Sequence, residues 1–64
     1  MYLKDRIERA GFLYKANFGS LEVYVKDDIG LLYDPKTDKV NAYAVWGNPQ
    51  LHIIDDIQLE ILLG

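Results

Sequence analysis

A period-two alternation of apolar and polar residues, interrupted by three turn signals, dominates the sequence between Phe12 and Trp46. Alternation of this kind predicts strands, and short turns between them predict antiparallel neighbours. The first turn falls at Gly19–Ser20, the second in "DDIG" and the third in "DPKTDK". This stretch therefore predicts an antiparallel meander of about four strands.

The segment ahead of the meander, "YLKDRIERAG", has the spacing of a helix. Leu3, Ile7 and Ala10 recur at intervals of four and three residues, which places them on one helix face. Gly11 is a natural stop, because glycine adopts the left-handed conformation that commonly follows a helix. We therefore expect a helix near residues 2–10 that covers one face of the sheet.

The C-terminal segment permits more than one structure. Asn48–Pro49 resembles a helix cap followed by a first-turn proline, and the apolar residues beyond it fit a helical face. Alternatively, "LHII" forms a fifth strand, and Asp55 with Gln58 caps a short final helix. A period-two spacing near the end also permits a strand. We favour a C-terminal helix, so residues 1–64 are expected to form one α+β domain.

The second turn decides how the strands pair. A three-residue loop would use Gly30 in the left-handed position that follows a type I turn, and it would place Val25 opposite Tyr33. A two-residue turn at Asp27–Asp28 would instead place Val25 opposite Gly30. We prefer the first arrangement, because the second leaves the glycine without a conformational role. The other expected pairs are Phe18 with Leu21, Ala16 with Val23, Tyr14 with Val25, Tyr33 with Val40, and Leu31 with Ala42.

These pairings divide the side chains between a core face and an outward face. The expected core face holds Phe12, Tyr14, Ala16, Phe18, Leu21, Val23, Val25, Leu31, Tyr33, Val40, Ala42, Ala44 and Trp46. The expected outward face holds Leu13, Lys15, Asn17, Glu22, Tyr24, Lys26, Leu32, Asn41, Tyr43 and Val45.

Length and composition limit how such a chain is stabilised. A domain of 64 residues buries only about 60% of the surface of its unfolded chain. With no cysteine and one histidine, disulfides are excluded and structural zinc is disfavoured. The hydrophobic fraction of 50% supports a compact core. We expect that core to be supplemented by self-association or by a partner.

Charge and hydropathy exclude several classes of function. Seven basic and ten acidic side chains give a net charge of −3, so the chain has no global attraction to nucleic acid or to anionic membranes. No apolar run is long enough to span a membrane, and the N-terminal segment is too charged for a signal peptide. We expect a cytoplasmic protein that makes no membrane contact.

Catalytic and metal-binding patterns are weak. His52 is the single histidine, and Ser20 and Thr37, the only hydroxyls besides the tyrosines, fall in predicted turns. The acidic pairs at 27–28 and 55–56 lack the spacing of a calcium loop. We therefore expect no enzymatic activity, no cofactor and no metal.

The outward face is the candidate site, because tyrosine is enriched at interfaces. Its predicted partner-binding residues, with the neighbouring acidic turn, are Tyr24, Tyr43, Leu32, Val45, Lys15, Lys26, Glu22, Asp27 and Asp28. The first hypothesis is a non-enzymatic protein-binding module that docks on an unidentified partner protein, as small inhibitors or adaptors of phages and mobile elements do, with a protein that handles nucleic acid as one candidate partner. The alternatives are binding of single-stranded nucleic acid by the tyrosines and lysines, which the net charge disfavours, and a homodimer or other structural homo-oligomer.

Overall fold

The computed structural model describes residues 2–64 as a five-stranded antiparallel sheet with a helix at each end of the chain. Strand order follows chain order, so the sheet is a meander. The predicted α+β class, with its N-terminal helix, antiparallel meander and C-terminal helix, is confirmed. The elements are α1 (Leu3–Arg9), β1 (Leu13–Phe18), β2 (Leu21–Lys26), β3 (Ile29–Asp34), β4 (Lys39–Val45), β5 (His52–Ile53) and α2 (Asp56–Leu63).

Helix α1 begins and ends as its sequence predicts. Ile7 is completely buried, which confirms the apolar face of this helix. Gly11 follows the helix with a φ of 102°, and its N–H donates to the carbonyl oxygen of Glu8 at 3.0 Å. The left-handed conformation of the glycine therefore turns the chain into β1.

The C-terminal segment adopts the second of the arrangements that its sequence permits. A helix that starts at Asn48–Pro49 is not formed, and β5 lies beside β4 instead. Helix α2 starts after Asp55, whose side chain accepts the backbone N–H of Gln58 at 2.7 Å. An N-cap bond of this kind satisfies one of the free donors in the first helical turn. Neither helix of residues 2–64 is long and apolar enough to cross a membrane.

The turn between β2 and β3 corrects the predicted pairing. Asp27 and Asp28 form a two-residue turn, and Val25 lies opposite Gly30 rather than Tyr33. Asp27 itself takes a left-handed φ of 53°, a conformation that aspartate tolerates better than most residues. Because the aspartate supplies that conformation, Gly30 is free to lie within β3.

Two irregularities shift the pairing further. The register changes around Lys15, so Val25 faces Leu13 instead of the predicted Tyr14. A second shift beside Asn41 pairs Leu31 with Tyr43, where Ala42 was expected. An extra residue in one strand reverses the faces of the residues beyond it. The expected pairs of Phe18 with Leu21, Ala16 with Val23, and Tyr33 with Val40 are confirmed.

Both helices pack on the same face of the sheet. Ile7 of α1 and Leu59 of α2 belong to one buried cluster with Tyr24 and Leu31. The predicted burial of Phe12, Leu31, Tyr33 and Val40 is confirmed. Tyr24 was expected to face outward, but only 1% of it is exposed, because its true partner is Leu31. The expected core positions of Trp46, Tyr14 and Phe18 are wrong, since all three side chains are exposed.

Candidate docking surface

The sheet face opposite the helices carries a continuous row of apolar residues across all five strands. Each member of the row pairs with the next in the register of the sheet, so their side chains point the same way. No polar residue interrupts the row. From β1 to β5 it reads Ala16, Val23, Leu32, Ala42 and Ile53.

Two further rows extend this surface on either side. One row is formed by Leu13, Val25, Gly30 and Ala44. The other begins with Phe18 and Leu21 and continues in β3 and β4 with the charged residues Asp34 and Lys39. We call these three rows, together with Trp46 just beyond β4, the open face. Its small residues lie in β3 and β4, whereas its large exposed side chains lie on the edge strands and just beyond β4, with exposed fractions of 71% for Leu13, 65% for Phe18, 92% for Ile53 and 85% for Trp46.

The open face differs from the solvent side of an ordinary antiparallel sheet. Such a sheet usually alternates apolar residues toward the core with polar residues toward water. Here both sides are rich in apolar residues, and the helices cover only the side that contains Tyr24. Leu32, at the centre of the open face, is buried yet lies outside the main core cluster. Its burial therefore comes from neighbours in the sheet rather than from a helix.

A groove of about 630 Å³ lies at one end of the open face. Gly30 and Ala44 are neighbours across β3 and β4, and their small size leaves space between Val25 and Trp46. The backbone N–H of Trp46 donates to the carbonyl oxygen of Asp28 at 2.7 Å. That hydrogen bond holds the backbone of Trp46 beside the turn, so a backbone contact maintains this end of the groove.

The tyrosine that sequence reasoning placed at the centre of the site is structural. The hydroxyl of Tyr24 donates to Glu22 at 2.9 Å, and its ring packs edge-on against the rings of Tyr14 and Tyr33. Burial raises the pKa of Tyr24, and the hydrogen bond to the Glu22 carboxylate raises it further. Tyr24 and Glu22 therefore stabilise the sheet beneath the helices and are not presented to a partner.

Two more of the predicted contact residues lie on the helix side. Tyr43 is half-buried against the core and stacks on His52, with ring centroids 5.0 Å apart. Val45 is half-buried and pairs with Ile29, which also packs on the core. A tyrosine pair on an outward platform, as stacking on nucleic acid bases would need, is therefore not formed.

The predicted charged residues are dispersed. Lys26 donates from Nζ to the carbonyl oxygen of Ala10 at 2.6 Å and lies over the ring of Phe12, so it stabilises the end of α1. Lys15, Asp27 and Asp28 are exposed and border the groove. Of the predicted contact residues, Leu32 therefore lies on the open face. Lys15 lies at its border, and the two aspartates lie in the adjacent turn.

A second groove, of about 400 Å³, lies between the two helices. Leu59 and Val40 contribute apolar lining, while an exposed ion pair between Arg6 and Glu60 spans it at 2.6 Å. The hydrogen bond with Glu60 raises the pKa of Arg6, and the same bond lowers the pKa of Glu60. Within residues 2–64, no three His, Asp or Glu side chains are grouped to hold a metal ion.

Sequence reasoning found most of the open face but assigned it to the core. Val23, Val25, Ala42 and Ala44 were grouped correctly, because they alternate with the helix-facing residues. Ile53 was missed, since a two-residue strand is too short to show periodicity. The signal that could have found the open face was the turn at Asp27 and Asp28. The two-residue turn that was considered there would have revealed a second apolar face.

Comparison with protein-family models, with curated proteins and with solved structures gives no match to this chain.

Proposed function

We propose that this protein is a non-enzymatic protein-binding module and that the open face is its docking surface. The observation that carries the proposal is the row from Ala16 to Ile53, which is apolar across every strand and has no helix over it. A contiguous apolar surface of several hundred Å² on a small protein is typical of an interaction site. The partner that this surface fits is a protein with an apolar contact area of similar size.

The character of the face favours a protein over a nucleic acid. Two of the three rows contain no charged residue, and in the third the single lysine, Lys39, lies opposite Asp34, so the face offers little positive charge to a phosphate backbone. Phe18 and Trp46 supply large, exposed aromatic area at the rim, and aromatic residues of this kind are enriched among residues that dominate binding energy. Binding through this face should therefore depend little on salt.

Photo-cross-linking from the open face tests the proposal. p-Benzoylphenylalanine would replace Phe18, which is 65% exposed, in cells that produce the protein. The matched control places the same probe at Tyr2, which is 71% exposed and precedes α1 on the helix side. We expect one nuclease-resistant protein adduct from position 18 that is absent from position 2 and is lost when Ile53→Glu is added.

Two results would contradict the proposal. Equal cross-linking from positions 18 and 2 would mean that the open face has no special affinity for protein. Adducts at position 18 that disappear with nuclease would identify a nucleic acid as the bound molecule. The mass of the adduct also identifies the partner, since one additional copy of this chain adds 7.4 kDa.

A further inference from the structure

We infer that the partner docked on the open face is a second copy of this chain, so that two sheets pack face to face in a symmetric homodimer. This inference rests on the proposed function, because it concerns the same surface and names its occupant. The dimer would be a sandwich of two sheets with helices on the outside. Sheets that pack in this way are separated by about 10 Å.

The area of the open face matches what a dimer of this size needs. With strands about 4.8 Å apart and a rise of about 3.3 Å per residue, four six-residue strands present roughly 400 Å² in projection. At their exposed fractions of 65% and 85%, Phe18 and Trp46 add on the order of 300 Å² of accessible aromatic surface. Two copies would therefore bury roughly 1,400 Å², in the lower part of the range of specific protein interfaces.

The shape of the open face is suited to its own copy. Gly30, Ala42 and Ala44 form a low strip along β3 and β4, whereas Phe18 and Ile53 stand at opposite edges. In a two-fold arrangement each copy offers the same surface to the other. Raised edge residues of one copy can then lie over the low strip of its partner.

The charge distribution also permits self-association. The chain carries a net charge of −3, but two rows of the open face are uncharged and the third carries one aspartate and one lysine, Asp34 and Lys39, opposite each other. The face itself therefore has no net charge, so two copies can meet through it without repulsion. The acidic turn at Asp27 and Asp28 lies at the border, where water screens it.

In an alternative dimer, two sheets would pair through their edge strands. Two features of the edge strand β1 oppose that arrangement. The register shift at Lys15 interrupts the regular ladder, and the lysine itself is exposed. Bulges and lysines on edge strands are devices that prevent pairing with another sheet. The face of the sheet is therefore the favoured surface for association.

Sedimentation equilibrium of the purified chain tests the inference. We expect a mass of twice 7.4 kDa at high concentration, with a dissociation constant in the micromolar range. Ile53→Glu and Phe18→Glu should each weaken the dimer at least about 100-fold, because each change is made twice in a two-fold interface. Both side chains are mainly exposed in the monomer, so both variants should remain folded.

Ile57→Glu is the matched control. Ile57 is 75% exposed on α2, so the same chemical change is made on the helix side of the protein. We expect its dissociation constant to remain within about threefold of the wild-type value. Loss of the dimer in Ile57→Glu but not in Ile53→Glu would place the interface on α2 and overturn the inference.

Oxidative cross-linking gives a second, independent measurement. The chain has no cysteine, so Ala42→Cys introduces a single thiol near the centre of the open face. We expect it to form a disulfide-linked dimer much faster than Glu8→Cys, which places a thiol on the exposed side of α1. Equal rates would overturn the face-to-face geometry. A wild-type chain that stays monomeric throughout would overturn the dimer, whereas a foreign protein adduct at position 18 would still support the proposed function.

Discussion

The hydroxyl of Tyr33 donates a hydrogen bond to Oδ1 of Asp38 at 2.7 Å. The same carboxylate oxygen accepts the backbone N–H of Leu3 at 2.8 Å, across 35 residues of sequence. Asp38 therefore links the first turn of α1 to the sheet, and it does so from a left-handed φ of 55°. One carboxylate thus helps to decide which face of the sheet the N-terminal helix covers.

Asp38→Ala should destabilise the protein by roughly 2–3 kcal/mol, because it leaves the Leu3 N–H and the Tyr33 hydroxyl without their acceptor and strains the left-handed backbone. Asp38→Asn should cost less than half as much, since asparagine keeps an acceptor oxygen and tolerates a positive φ. Urea unfolding of the two variants measures the difference. Equal losses in both variants would mean that the negative charge, rather than the acceptor geometry, is what matters.

Alkaline pH should unfold this protein through its buried tyrosines. Burial, reinforced by hydrogen bonds to Glu22 and Asp38, raises the pKa values of Tyr24 and Tyr33 above their ordinary 10.0. A pKa that is higher in the folded state contributes stability that is complete below pH 10 and is lost as the pH rises above it. We expect the free energy of unfolding to fall by up to about 1.4 kcal/mol per pH unit for each tyrosine in that window.

Tyr24→Phe and Tyr33→Phe provide the control for this pH dependence. Each replacement removes one titrating hydroxyl, so the slope above pH 10 should become shallower in the single variants and nearly flat in the double variant. Urea titrations at a series of pH values would measure this slope of the unfolding free energy against pH. An unchanged slope in the double variant would assign the alkaline transition to other groups.

Two glycines should respond to alanine in opposite directions. A Cβ at Gly30 would meet Val25 Cγ1 at 3.8 Å, an ordinary contact, and the backbone there is not left-handed. Gly30→Ala should therefore stabilise the monomer by roughly 0.5–1 kcal/mol, because alanine loses less entropy on folding. Gly47 has a φ of +85° and open space around it, so Gly47→Ala should destabilise by roughly 1 kcal/mol through backbone strain alone.

These two glycine variants are compared by denaturant unfolding at a concentration low enough for the monomer to predominate. Under that condition, a change in the free energy of unfolding caused by Gly30→Ala reflects the stability of β3 and not the stability of the dimer interface. A destabilised Gly30→Ala monomer would show that the groove floor does not have the open space found beside Val25.

The fluorescence of Trp46 should depend on protein concentration. It is the only tryptophan, and 85% of it is exposed beside the open face. In a dimer formed through that face it would lose contact with water, so its emission maximum should shift to shorter wavelength as concentration rises. Ile53→Glu should abolish this shift of the emission maximum, and Ile57→Glu should preserve it. An emission maximum of the wild-type chain that does not depend on concentration would count against burial of Trp46.

The secondary structure was largely predictable because its signals are local. The spacing of Leu3, Ile7 and Ala10, with Gly11 as a stop, predicted α1. The turn signals at Gly19–Ser20, in "DDIG" and in "DPKTDK" likewise marked the ends of β1, β2 and β3. The start of the final helix was not fixed by local signals, since Asn48–Pro49 resembles a helix start that the structure does not use.

The assignment of the two faces failed for a different reason. The predicted three-residue loop at Asp27 and two unforeseen register shifts, at Lys15 and Asn41, each moved side chains to the opposite face. Because both faces are rich in apolar residues, hydrophobic alternation could not reveal the error. A polar solvent face would have fixed the register. Its absence is the reason that Tyr24 was predicted to face outward and Trp46 to lie in the core, the reverse of what is observed.

The sequence by itself determined α1, the first four strands, their order and the positions of the turns between them, since each depends on a few neighbouring residues. Only the tertiary structure decided which apolar face the helices cover. That choice depends on contacts between residues far apart in the chain, such as Ile7 and Leu59 against Leu31, and on the bond from Leu3 to Asp38. Once the helices are placed, the remaining apolar face is left open, and the candidate docking surface follows from that packing.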